Sequence, residues 1–106
     1  MSAPLKAAFL FIAPGADPAA HRQWVCTPAV HVLAIAVSTY AQAEDLAPRL
    51  VAEEGIAAFE LCGGFGHEGA ARLAAAVNVP VGVVRFDGHP GLGNASGDSL
   101  FGSKAV

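Results

Sequence analysis

Cationic residues are scarce: six lysines and arginines are spread over 106 residues, against nine aspartates and glutamates, for a net charge of −3. They gather into no basic stripe, so the electrostatic footprint of a nucleic-acid-binding protein is missing. Cysteine is scarcer still. Cys26 and Cys62 are too few for the disulfide framework of a small secreted domain, and they are expected as reduced thiols in a cytoplasmic protein. No apolar run approaches the length that spans a bilayer, which leaves no membrane partner to expect. What the chain has instead is 54% hydrophobic residues, much of it alanine, enough for one buried core in one domain over residues 1–106.

Lys6 followed by Ala7-Ala8-Phe9-Leu10-Phe11-Ile12-Ala13 imitates a short secretory signal. The run stops at Pro14-Gly15, and the expectation here is a first strand over Leu5 to Ala13, apolar because it is covered. Asp17 as N-cap and Pro18 at N1 predict a short helix ending near Trp24. Val30 to Val37 predicts a second strand, interrupted only by His31. Thr39 with Gln42 fits a capping box for a helix over about Tyr40 to Glu54, with Gly55 as its C′ residue. Pro48 lies inside that helix and predicts a kink or break near Asp45. Ile56 to Cys62 and Pro80 to Phe86 predict the third and fourth strands, with a helix from about Gly66 to Val77 between them. From Gly88 onward the composition turns to glycine and small polar residues, which predicts a C-terminal loop or lid over 88–106.

This β-α-β-α-β-α-β pattern implies an α/β fold: a small three-layer domain with a four-stranded, mostly parallel sheet of order 2-1-3-4 and helices on both faces. In such sheets ligands sit beyond the carboxyl ends of the strands, at the switch point. The polar, chemically able residues fall on that rim. Cys62-Gly63-Gly64-Phe65-Gly66 links a strand to a helix start, where free N–H groups attract anions. Cys62, Gly63, Gly64 and Gly66 are therefore candidate ligand-binding residues. His67 and His89 are candidate acid–base catalysts, with Glu68 and Asp87 placed to orient them. The same four side chains suit a divalent metal by type, but their spacing follows no metal motif, so neither metal nor cofactor is assigned. Arg85 and Glu60, charges inside apolar strands, are expected to pair across neighbouring strands, or else Arg85 binds an anion bidentately. Gly64-x-Gly66-x-x-Gly69 also fits a dinucleotide fingerprint, although Glu68 would repel a pyrophosphate.

The stretches Glu60-Leu61-Cys62-Gly63-Gly64-Phe65-Gly66-His67-Glu68-Gly69 and Val79-Pro80-Val81-Gly82-Val83-Val84-Arg85-Phe86-Asp87-Gly88-His89-Pro90-Gly91 resemble a family of small uncharacterised bacterial proteins. So does the opening, with Ala13-Pro14, Asp17-Pro18 and His21-Arg22. The resemblance covers nearly the whole chain and implies no reaction, cofactor or catalytic residue; Pro48 departs from its pattern.

Four functions stay open on the residues. One is an enzyme acting on a small anionic metabolite, held by the Gly63–Gly66 loop and Arg85 and worked on by His67 and His89. The others are a non-catalytic binding or regulatory module, a nucleotide-binding protein, and a structural subunit. A homo-oligomer is expected, because Val30 to Val37 forms a predicted sheet edge without lysine, proline or inward charge.

Overall fold

The computed structural model describes residues 3–103. Residues 1–2 and 104–106, the last of them in the expected lid, lie outside the described residues. In chain order the elements are β1 (Leu5–Ile12), β2 (Arg22–Cys26), β3 (Val30–Val37), α1 (Tyr40–Glu54), β4 (Ala58–Leu61), α2 (His67–Ala76), β5 (Val81–Val83), a 3-10 turn (Pro90–Leu92) and α3 (Gly97–Phe101). The fold is α/β. The sheet has five strands in the order β2-β3-β1-β4-β5, of which the last four are mutually parallel. Those four are the strands read from the sequence, in the order read.

The first difference is β2. The segment read as a helix ending near Trp24 makes a turn at Asp17 to Ala20 and then pairs antiparallel with β3, Trp24 opposite Leu33. Asp17 does cap, but it caps a turn: its Oδ1 accepts from the Ala19 N–H at 3.0 Å, and its own N–H donates to His21 Nδ1 at 2.9 Å. A tight reversal at Thr27–Val30 closes the hairpin, with the Thr27 N–H and hydroxyl both donating to the Val30 carbonyl. Val30 to Val37 is consequently an inner strand, and the exposed edge on which self-association was expected does not exist.

The second difference is the number of layers. Both helical crossovers, β3-α1-β4 and β4-α2-β5, step the same way across the sheet, so right-handed connections put both helices on one face. α1 packs on α2, and α3 packs on α2 in turn. No helix connects β1 to β3; the β2 hairpin does. One face of the sheet is clad and the other is bare, where helices on both faces were expected.

The clad face holds the core. Alternate residues of three strands point into it: Ala8 and Leu10, Leu33, Ile35 and Val37, Phe59 and Leu61, all closed over by Tyr40, Leu46, Leu50 and Leu73 from the helices. The bare face takes the intervening residues, among them Phe9, Phe11, Val25 and Ala34. Register aligns them in rows across the strands, of which one runs Gly82, Glu60, Phe9, Ala34, Gln23.

α1 starts and stops as its sequence dictates. The Gln42 N–H donates to Thr39 Oγ1 at 3.0 Å, the Gln42 side chain reaches back to the Ser38 N–H at 2.7 Å, and Gly55 closes the helix at φ 74°. Pro48 does not break it; the helix runs unbroken from Tyr40 to Glu54. The proline ring lies on the exposed side, where water serves the carbonyl it leaves free, while Leu46 and Leu50 anchor the turns on either side in the core. Replacing Pro48 by Ala restores one helical hydrogen bond without removing buried surface. It is expected to raise stability by about 1–2 kcal/mol, the gain in helix propensity less the lost stiffness of the unfolded chain. Denaturant unfolding of Pro48→Ala against the parent measures this; a loss of stability would mean that the ring packs favourably.

Candidate functional site

The loop from Cys62 to Gly66 leaves β4 at its carboxyl end and feeds α2. The Cys62 sulfur accepts the Gly64 N–H at 3.3 Å and the Ile12 N–H, across from the end of β1, at 3.4 Å. Those two donors hold the side chain between the two strand ends. A side chain on Gly63 would collide with the rings of Phe86 and His89, and one on Gly64 with Ile12. The glycines are there because other parts of the chain press directly on the loop.

The strongest of these contacts comes from the C-terminal segment. Asp98 places its carboxylate at the start of α2, where the Glu68 N–H donates to Oδ2 at 2.9 Å and the Gly69 N–H reaches Oδ1 at 3.4 Å. The Tyr40 hydroxyl donates to the same Oδ1 at 3.0 Å and accepts the Gly66 N–H at 2.9 Å. A Cβ on Gly66 would strike this carboxylate, and one on Gly69 would strike the Tyr40 ring. The helix start that the glycine pattern marks for an anion therefore receives an anion belonging to the chain itself. Sequence reading missed Tyr40 and Asp98. Their only signal was a Ser-x-Asp cap motif at Ser96–Asp98 inside a stretch read as loop.

Tyr40 is buried, its ring stacked on Phe65 at 5.5 Å with Phe101 tilted against it at 5.8 Å. The Arg72 guanidinium lies 5.5 Å from the ring centroid, hydrogen-bonded to Glu44 and, at 3.3 Å, to Glu68. Those bonds, led by the one to Glu44, push the Arg72 guanidinium up from its ordinary value. Burial pushes the Tyr40 phenol well above the ordinary range; the Gly66 N–H works against burial and Asp98 adds to it.

The rim residues divide into separate groups. Glu68 faces Arg72 and accepts the Ser103 N–H at 2.8 Å, so it does not orient His67. Asp87 does reach His67, Oδ1 to Nε2 3.9 Å, and it pairs with Arg85 at 3.0 Å, all three side chains well exposed. Arg85 accordingly points along the rim, and the expected Glu60–Arg85 pair is not formed; Glu60 stands on the bare face. His89 turns the other way. Its ring packs on Phe86 at 4.6 Å, and its Nδ1 accepts the Gly91 N–H at 2.9 Å. Among the described residues no three His, Cys, Asp or Glu side chains gather as metal ligands, and no helix is long and apolar enough to cross a membrane.

Between the carboxyl ends of β1 and β4 lies a cleft of about 190 Å³, walled by Ile12, Pro14, Cys62, Gly64, His89 and Leu92. This is the switch point of the sheet, where the chain changes its direction of travel across the strands. Cys62 and His89 meet there; His67, Glu68, Asp87 and Arg85 are not part of its wall. A larger hollow of about 280 Å³ between the Asp17 turn and α1 has charged walls, but Arg49 is paired with Asp45 and Arg22 with Glu54.

The class of the protein is α/β, a half-clad, mostly parallel sheet with a small cleft at its switch point under the C-terminal segment. The chain belongs to DUF6506, a family of unknown function, whose model matches residues 5–99. The match takes in all five strands, the glycine loop and Asp98. No curated protein and no solved structure shows significant similarity to the chain.

Two outcomes follow from the Tyr40–Asp98 contact. Asp98→Ala strips the acceptor from three donors at once and is expected to cost about 2 kcal/mol. Amide exchange should then rise in 88–103 before it rises in β1 or β3; uniform loss of protection would show that the segment is not held at this point. Tyr40 titrates above its unfolded value, so its contribution is complete below about pH 10 and is lost as pH climbs beyond. Since Tyr40 is the only tyrosine, the ultraviolet tyrosinate band reports it alone. That band is expected to appear together with alkaline unfolding; a titration near pH 10 in the folded protein would contradict the burial.

Proposed function

We propose that the protein binds a small molecule in the switch-point cleft, beneath the C-terminal strap, with Cys62, Gly64 and His89 in contact with it. The observation that supports this most is the convergence of a thiol and an imidazole, from elements far apart in sequence, on one cleft at the carboxyl ends of β1 and β4. The His89 Nδ1 is engaged by the Gly91 N–H, which leaves Nε2 to carry the proton and donate to a ligand. The Gly63 N–H, which makes no hydrogen bond among the described residues, is a second donor at the same loop. No charged side chain walls the cleft, so the ligand suited to it is a small, largely apolar molecule bearing one carbonyl or similar acceptor oxygen.

Acid–base chemistry on such a carbonyl belongs, in this reading, to His89. The version with an anionic metabolite on the Gly63–Gly66 loop is the second reading. It requires Asp98 to leave the α2 start and Arg85 to leave Asp87. A dinucleotide at the glycine fingerprint meets the same obstacle at Asp98, with Glu68 beside it.

The test is a screen of small carbonyl fragments by heteronuclear NMR with thermal melting. Binders are expected to move the amides of Cys62, Gly64 and Gly91, and at a hundredfold excess over Kd to add about 2.7 kcal/mol of stability. Leu92→Trp, which fills the cleft without touching a polar group, should abolish binding, and His89→Ala should weaken it at least about 10-fold. Fragments that bind Leu92→Trp as well as the parent would place the ligand elsewhere. If phosphate or carboxylate binders instead shifted Glu68 and Gly69 and freed the strap, the anionic reading would stand in its place.

A further inference from the structure

The bare face of the sheet meets the cleft only at Ala13 and Pro14, and its composition is unusual for a surface. Along β1 it presents Leu5, Ala7, Phe9 and Phe11, along β3 Val30, Val32, Ala34 and Ala36, along β2 Gln23 and Val25, and along β4 Ala58 and Glu60. Leu5 is 50% exposed, Phe11 36% and Val25 62%. Its polar residues are His21, level with Ala36, together with Gln23 and Glu60, and Ala7 and Ala36 are already covered by their neighbours. A contiguous apolar patch of this kind marks an interaction site.

We infer that this face is the interface of a symmetric dimer, a second copy packing sheet on sheet about a two-fold axis that runs along the strands between β1 and β3. The register carries the inference. Such an axis keeps each row level and reverses its order, so β1 faces the partner's β3 and β4 faces the partner's β2. Phe9 is aligned with Ala34 in its own sheet, Ala7 with Val32 and Phe11 with Ala36. After the reversal Phe9 therefore faces Ala34 of the partner subunit, and the same holds for the other two pairs. On the outer strands Ala58 faces the small-to-large match of Val25 of the partner subunit, since both lie level with Ala7 and Val32. At each of these positions a large side chain meets a small one; Leu5 and Val30, level at the start of β1, are the pair in which two large ones meet. Two shallow hollows are already present where the phenyl rings would enter. One, of about 320 Å³, lies over Ala34 beside Phe11, His21, Arg22 and Gln23; the other, of about 280 Å³, lies over Ala36 beside Phe11, Pro14 and His21.

Glu60 and Gln23 obey the same rule. Glu60 and Gln23 both lie level with Phe9 and Ala34, so the axis brings Glu60 against Gln23 of the partner subunit, a carboxylate against an amide donor, twice by symmetry. Aligned sheets cross at about 30°, an offset that long side chains so near the axis can span. Under this axis β5 has no counterpart, so β1 and β3 overlap over ~26 Å and β2 and β4 over about half of that, which at ~4.8 Å per strand gives about 400 Å² of face per copy. The pair thus buries about 800 Å², the size of a weak or transient interface. That area suits a dimer of low affinity.

Sedimentation equilibrium of the full chain is expected to approach twice the 10.7 kDa chain mass at about 0.5 mM, as the small interface requires. Ala34→Arg places a charge opposite Phe9 of the partner subunit and should weaken association by at least about 30-fold with unchanged circular dichroism. If that variant does not fold, Val25→Lys serves, since its side chain is exposed in the monomer. Gln23→Lys creates two ion pairs with Glu60 and should tighten the dimer several-fold, an effect that salt removes. A monomer at that concentration, or a dimer indifferent to both Ala34→Arg and Val25→Lys, would overturn the interface, leaving the face to another protein or a surface. A dimer that Gln23→Lys weakens would overturn the axis.

Discussion

The hydrogen-bonded contact between the Tyr40 hydroxyl and the Asp98 carboxylate holds the site end of the molecule together. It joins three parts of the chain that the sheet alone does not fix: the first turn of α1, the glycine loop with the start of α2, and the C-terminal segment. A phenol buried under Phe65 and Phe101 must have both its donor and its acceptor satisfied. Asp98 accepts the hydrogen bond from the hydroxyl, and the Gly66 N–H donates one to it. The α2 N-terminus, whose first N–H groups have no helical partner, is satisfied by the same carboxylate. One half-buried acid thus answers three needs, and the glycines at 66 and 69 exist so that it and the tyrosine can come close enough.

This explains why the glycine run was legible in the sequence and its occupant was not. Glycines before a helix announce a close approach and a concentration of N–H donors, and the chain has both. They do not say what approaches. The answer lay about thirty residues downstream, in a stretch whose composition read as loop, because a five-residue helix capped by Ser96 leaves too short a pattern to recognise. The strands were legible for the opposite reason: β1 and β3 are long apolar runs, and β3 was placed to the residue. β2 was not, since Arg22-Gln23-Trp24-Val25-Cys26 has one face on the core and one on the bare side, and five residues after an Asp-Pro do not separate a strand from a helix turn. Among the candidate site residues, Cys62, Gly64 and His89 come together. His67, Glu68, Asp87 and Arg85 were grouped by their shared place on the rim; Asp87 does meet His67 and Arg85, away from the cleft, and Glu68 turns to Arg72 instead.

The hairpin has a further consequence. Had the β1–β3 connection been helical, it would have moved the opposite way across the sheet, and right-handedness would have put that helix on the second face. A strand hairpin makes the same connection in the plane of the sheet. It covers the edge of β3 and leaves the face bare. Edge protection and face protection are thus exchanged for one another within this chain. That exchange is why an argument from the β3 edge fails while the apolar surface it sought to bury is still present.

The cleft and the clasp are mechanically linked even though their side chains differ. Leu92 and His89 wall the cleft, and they are carried by the segment that Asp98 pins to α2 a few residues later. The intervening chain is short and contains a bridge from His89 to Ala95, so it transmits displacement with little slack. Widening the cleft therefore strains the Asp98 contacts, and loosening Asp98 frees the cleft's outer wall. A contact that costs about 2 kcal/mol to break holds the open form near a few per cent of molecules. Such a population is small enough to keep the strap closed in the free protein and large enough for the proposed ligand to draw on.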